Sequence, residues 1–247
     1  MANREILLYN AKLAEQAERY DEMVGFMDSI SKLGVELTSE ERNLFSIGYK
    51  NFMGAKRLAW RAIALEVEHA ERIAASEIPC LKRFKDVIEE EMRQLAHKLI
   101  HLIDTSLFKA ELEGEPKAFY LKLKADYFRY LAEIETGNDK KDAAECSLSA
   151  YKDAYEVATS LLPPTHPIRL GIALNFSVFY YEIANSADRA CKLAKQAFDD
   201  AIAELDNISE DNYKDATLVM QLIRDNLTLW TTDMASATAQ EEKRPVR

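Results

Sequence analysis

Residues 40–75 contain no proline, and their only glycines are Gly48 and Gly54. Apolar residues recur there at helical spacing, so the stretch predicts one long helix rather than strands. Thr38 or Ser39 offers an N-cap, and Glu40 and Glu41 place acids in the first turn. The same economy of breakers holds throughout, with seven Gly and six Pro in 247 residues. The breakers cluster at GVELTS (34–39), SEIP (76–79), ELEGEP (111–116), TGND (136–139), PPTHP (163–167), SAD (186–188) and SED (209–211). Helical periodicity fills the intervals, including one helix to about Phe108, one over residues 117–135 and one to about Leu161. The expectation is an all-α fold of about nine helices. Their short connections make sequential helices antiparallel neighbours.

Charge and cysteine usage narrow the function. The 42 acids against 32 Lys and Arg give a formal net charge of -10. General nucleic-acid binding requires a basic surface, and so does attachment to an anionic membrane. Neither is expected. Cys80, Cys146 and Cys191 are widely spaced with no CxxC, which predicts a reducing, cytoplasmic setting without disulfides. Residues 1–20 show no signal-peptide pattern, and no run of eighteen apolar residues predicts a membrane span.

Against this acidic background, IGYKNFMGAKRLAWR (47–61) carries Lys50, Lys56, Arg57 and Arg61 and no acid. Lys50 and Arg57 are two helical turns apart and share a face; Arg61 stays near it, while Lys56 points elsewhere. Neighbouring acids or solvent can neutralise such a stripe. Alternatively it is an anion site, since Arg presents a planar fork to phosphate and Lys a point charge. A second cluster, YLKLKADYFRYLAE (120–133), supplies Lys122, Arg129 and Tyr130.

Catalytic signatures are missing. Glu66 and His69 form one Glu-x-x-His pair, but a di-iron bundle needs two such pairs and two further Glu. His97 and His101 share a face without an evident third ligand. Neither a phosphate-cradling Gly loop nor GxSxG occurs. The expectation is a binding protein, not an enzyme, without metal or cofactor.

Six strings carry a resemblance: KLAEQAERYDEM, SEERNLFSIGYKN, RYLAE, PTHPIRLGIALNFSVFYYEI, AFDDAIAELD and QLIRDNLTLW. Through them the chain resembles the 14-3-3 family from about Lys12 to Asp233. Residues 62–115 match in helical pattern more than in identity. The resemblance implies a cup-shaped, dimeric, all-helical protein that binds phosphoserine or phosphothreonine segments of client proteins. It implies one domain over residues 1–233, with the amino-terminal helices dimerising and the carboxy-terminal helices completing a groove. Lys50, Arg57, Arg129 and Tyr130 correspond to the phosphate clamp. Asn175 and Asn226 correspond to amides that hold the ligand backbone. Leu174, Val178, Leu222, Leu229 and Trp230 correspond to an apolar groove wall. Glu182 corresponds to a polar rim residue, and Lys122 is assigned to the peptide site with them. An alternative is a helical scaffold that takes acidic or C-terminal carboxylate peptides without needing phosphate.

KLAEQAERY places Leu13, Ala14 and Ala17 near one helical face, and the long helix offers Leu58, Ala59 and Ala62. The resemblance makes these regions the dimer interface, together with Phe84 and an Arg19–Glu91 ion pair, in homodimers or in mixed dimers with relatives. Three positions depart from the family pattern. Val87 stands where a Lys would pair with Glu22, and Phe84 stands where a Tyr is usual. Ala59 replaces a phosphorylatable Ser, which removes that switch. Residues 234–247 read as a disordered tail, ending in KRPVR. Its charge is a poor phosphate mimic, so self-occupation of the groove is not expected.

Overall fold

The computed structural model describes residues 2–109, 112–208 and 210–241. Nine α-helices and no strand occur among them, in agreement with the all-α expectation. They fall into two compact units, Met1–Ala110 and Glu111–Arg247.

The first unit contains α1 (Ala2–Gln16), α2 (Tyr20–Ser31), α3 (Ser39–Arg72) and α4 (Ile78–Leu102). A single π-helical turn, Ile103–Leu107, extends α4 to within one residue of the expected end at Phe108. Thr38 caps α3 in a full capping box. Its hydroxyl accepts from the Glu41 N–H at 3.2 Å, while the Glu41 carboxylate accepts from the Thr38 N–H at 2.8 Å. Arg4 of α1 donates to both Glu41 oxygens, at 2.7 and 2.6 Å, and so ties α1 to this corner. Met23, Met27 and Ile30 of α2 and Phe45, Tyr49 and Met53 of α3 recur every three or four residues and are buried. A Cβ on Gly48 would meet the Met23 side chain at 3.2 Å, so glycine permits the close approach of α2 and α3.

A short helical pair is expected before GVELTS and is found, but the position of the break within it was not legible. The sequence predicts a helical face that includes Leu13, Ala14 and Ala17, yet α1 stops at Gln16 and Ala17 lies in the turn. Glu18 takes φ 54 there, and the Arg19 N–H returns to the Ala14 carbonyl at 2.8 Å. No Gly or Pro marks the spot; the turn lets α2 fold back on α1, with which it packs. Ala14 is buried and belongs to the core rather than to an exposed face.

The second unit contains α5 (Gly114–Ile134), α6 (Gly137–Leu161), α7 (Pro167–Glu182), α8 (Ala187–Ala203) and α9 (Glu210–Glu241), with a 3-10 turn at Leu205–Asn207. Gly137 adopts φ 59 and makes possible the abrupt return from α5 to α6. His166 caps α7: its Nδ1 accepts from the Ile168 N–H at 3.2 Å, and Pro167 opens the helix. Small residues let these helices close up. Ala118, Ala154 and Ala158 pack with Ile172. Ala190 and Ala194 pack with Leu170, Met220, Ile223 and Trp230. Tyr151, Phe176 and Phe179 fill the space beside Ala125 and Ala150. α9 continues to Glu241, past the expected boundary at Asp233. Ala235, Ala237 and Ala239 favour helix, and no proline occurs before Pro245. The remainder of the expected tail, residues 242–247, lies outside the described residues.

Candidate functional site

α3 is rotationally fixed one residue before Lys50. The buried Tyr49 hydroxyl donates to Asp28 of α2 at 2.6 Å, and Lys98 of α4 pairs with the same carboxylate at 2.5 Å. The next position around the helix is exposed, and Lys50 occupies it without an ion pair among the described residues. Arg57, two turns on, is half-buried. Lys56 points away, as its position predicts: it pairs with Glu91 of α4 at 2.6 Å and lies 4.7 Å from the Phe52 ring centroid. The first unit thus presents Lys50 and Arg57 along a strip of α3 whose own sequence supplies no acid from residue 47 to 61.

The cluster of the second unit is organised differently. Lys122, Asp126, Arg129 and Glu133 follow one another at spacings of four, three and four on α5, one continuous stripe. Asp126 is buried and gathers the others. It accepts from Lys122 Nζ at 2.8 Å, from Arg129 at 3.4 Å, and from the Tyr151 hydroxyl of α6. Asn175 Nδ2 of α7 reaches its two oxygens at 2.8 and 3.0 Å. Arg129 is buried as well. It donates to the Tyr151 hydroxyl at 3.1 Å and to Glu133 at 3.5 Å, with its guanidinium 4.7 Å from the Tyr130 ring centroid.

Electrostatics follow from this geometry. Burial alone would push the Asp126 carboxyl up, but the Lys122 and Arg129 charges and the hydrogen bonds from Lys122 and Tyr151 outweigh it and hold it below the usual carboxylate range. Burial pushes the Tyr151 phenol well up, so it stays a neutral donor. Two cations, Lys122 and Arg129, face two carboxylates, Asp126 and Glu133, and the α5 cluster balances to zero. Sequence reasoning missed Asp126 and Tyr151. An acid four residues after Lys122 and three before Arg129 was the available signal.

An ionised carboxylate only accepts, so the nitrogen of Asn175 must face Asp126. Oδ1 faces away from the carboxylate and is the acceptor that Asn175 can offer to a ligand. Leu174 and Val178 are half-buried and pack against the α7–α8–α9 core, while Glu182 is exposed at the end of α7. On α9, Leu222, Asn226 and Leu229 recur at four and three residues; both leucines are exposed and Asn226 is half-buried. Trp230, assigned to the apolar groove wall, is the buried member of that set. It is 3% exposed and stacks on Tyr181 of α7 at 4.8 Å, so it holds α9 against α7.

The expected dimer residues belong to the first unit. Leu13, Ala17, Leu58, Ala59, Ala62 and Phe84 are exposed, as are Ile6, Tyr9, Leu65 and Val87. Within the chain, Arg19 pairs with Glu22 and Glu91 with Lys56. Among the described residues, no three His, Cys, Asp or Glu are arranged to hold a metal ion, and no helix is long and apolar enough to cross a membrane.

The family model described as 14-3-3 protein matches residues 10–231. The 14-3-3 protein epsilon of Drosophila melanogaster is 57% identical over 235 residues, covering 95% of this chain and 90% of that protein. The 14-3-3 protein 2 of Solanum lycopersicum is 56% identical over 243 residues, covering 97% and 96%. The 14-3-3-like protein GF14 omega of Arabidopsis thaliana is 55% identical over 245 residues, covering 98% and 95%.

Proposed function

The chain belongs to the 14-3-3 family, and on that premise we propose that Lys50 and Arg57 of α3, with Arg129 and Tyr130 of α5, bind the phosphoryl group of its clients. The protein is a dimeric phosphoserine- and phosphothreonine-peptide-binding adapter and not an enzyme. It acts by masking, bridging or clamping client segments in the cytoplasm.

The observation that supports these residue assignments is a balance of charge. The α5 cluster is already neutral, so a phosphoryl group of about -1.5 to -2 would find no net attraction there alone. Lys50, exposed and without an ion pair among the described residues, adds positive charge, and Arg57 adds a guanidinium on the same strip. Arg129 and Tyr130 supply directed donors, each charge-assisted bond contributing about 1.5–3 kcal/mol. Asn175 Oδ1 and Asn226 read the ligand backbone, which any side chain permits. Leu174, Val178, Leu222 and Leu229 add an apolar preference, with Lys122 and Glu182 as polar flanks.

The 14-3-3 domain spans residues 1–233 in this reading. Dimerisation uses Leu13, Ala17, Leu58, Ala59, Ala62 and Phe84. An Arg19–Glu91 bridge across the dimer exchanges two intrachain pairs for one, and exposed pairs contribute roughly 0–1 kcal/mol. Apolar area therefore carries the association. Two sites in one dimer make a second contact intramolecular, with avidity gains of about 10²–10⁴ where the geometry fits.

Fluorescence anisotropy at fixed salt tests the assignment. A basic phosphoserine peptide is compared with its unphosphorylated twin on wild type and Arg57→Ala. Binding that needs both the phosphate and Arg57 is expected, with the dimer intact. Equal binding of the two peptides, or full affinity in Arg57→Ala, would overturn it.

A further inference from the structure

The second unit carries a further concavity of about 300 Å³, lined by Tyr155 of α6, Phe176 and Tyr180 of α7, and Arg189, Lys192, Leu193 and Gln196 of α8. It shares no residue with the peptide-binding set. At about 100° per residue, Phe176 and Tyr180 lie roughly 100° and 140° around α7 from Asn175, so the cavity opens on another face of that helix.

Its floor is aromatic. Phe176 and Tyr180 stack with centroids 4.6 Å apart, and Tyr155 meets Phe176 edge-on at 6.3 Å. Its rim is cationic. Arg189, Lys192 and Gln196 recur at three and four residues, so α8 presents them on one strip. Neither Arg189 nor Lys192 has a carboxylate partner among the described residues, whereas neighbouring Lys195 pairs with Asp199 at 3.0 Å. Burial holds the Tyr155 and Tyr180 phenols above their ordinary range, the latter against the pull of the Arg189 charge, so both remain neutral donors.

We propose that this cavity is a second ligand site, for a small planar aromatic anion. Its ring packs against Tyr155, Tyr180 and Leu193, with the buried Phe176 beneath, and its carboxylate or phosphate pairs with Arg189 and Lys192 beside the Gln196 amide. The size decides between ligands. Pockets of about 300–1,000 Å³ take small molecules, and this one lies at the lower limit, enough for one fused ring pair and its anionic group. The charge decides too. In a chain of net charge -10, two cations without carboxylate partners over a π surface mark a local preference for anions.

The test is calorimetric titration of the intact dimer with 2-naphthoate. Neutral 2-naphthamide and non-aromatic cyclohexanecarboxylate are the comparisons. The expected result is one saturable site per chain and at least tenfold weaker binding of both comparison compounds. Arg189→Gln with Lys192→Gln, both exposed positions, should weaken 2-naphthoate at least tenfold while helix content and phosphopeptide affinity stay unchanged. Four outcomes would each overturn the proposal: no saturation, equal affinity for the amide, full affinity in the double variant, or displacement of 2-naphthoate by the phosphopeptide.

Discussion

Asn175 on α7 spans both carboxylate oxygens of Asp126 on α5, at 2.8 and 3.0 Å. A residue expected to contact a ligand backbone is thereby joined to the acid that also holds Lys122 and Arg129. The groups of the second unit proposed to bind phosphate and ligand backbone share one anchor.

Asp126→Asn tests that anchor. The substitution keeps the shape, removes the charge, and leaves Arg129 without its closest compensation. Breaking a buried pair by removing one partner costs about 3–5 kcal/mol. Thermal unfolding should shift down accordingly. Phosphopeptide affinity, measured below the new transition, should fall because Arg129 and Asn175 lose their fixed positions. Unchanged stability would show that Asp126 is not the organising group.

The same residue predicts an acid limit. Its folded-state pKa lies below the ordinary value of about 3.9. The ionised form therefore stabilises the fold fully above that value, and the contribution is lost as pH falls through the folded-state pKa. Urea unfolding of wild type should show a decline beginning near pH 4 and steepening below it. Asp126→Asn should be less stable at neutral pH and flatter through the acid range. Parallel curves would be inconsistent with a depressed Asp126.

Val178→Asp addresses the apolar flank. Val178 is half-buried against the α7–α8–α9 core, so the new carboxylate both removes apolar area and meets an incoming phosphopeptide with like charge. A loss of affinity of tenfold or more is expected by anisotropy, alongside a modest loss of stability by circular dichroism. Full affinity in a folded variant would place the ligand elsewhere.

Leu58→Glu addresses association. Leu58 is 72% exposed in the single chain, so the substitution should leave helix content unchanged. Burying a carboxylate in an apolar interface is unfavourable by several kcal/mol. Sedimentation velocity should therefore report a monomer. A persistent dimer would exclude Leu58 from the interface.

Much of this architecture is legible in sequence because its punctuation is local. Thr38 with Glu41 announces α3, and His166 with Pro167 announces α7, through groups that act within one turn. The break between α1 and α2 is not announced. Glu18, exposed and at φ 54, closes the helix through backbone hydrogen bonds of residues 17–19 to carbonyls of residues 13–15, and no Gly or Asn stands there to signal the left-handed cap. Asp126 hid for a related reason. On α5 it looks like one more surface charge, and only Tyr151 and Asn175, contributed by α6 and α7, make it a hub. The burial of Trp230 was not legible because α9 carries apolar residues on two faces, and periodicity alone does not say which one meets α7.

Arg129 and Lys50 contrast in a way that separates two contributions to affinity. Arg129 is gripped by Tyr151, Asp126 and Glu133 over the Tyr130 ring, so its rotamers are already restricted before any ligand arrives. Lys50 is exposed and must be ordered, at an entropic cost of up to about 1.5–2 kcal/mol. If both bind phosphate as proposed, most of the temperature dependence that these two side chains contribute resides in the lysine.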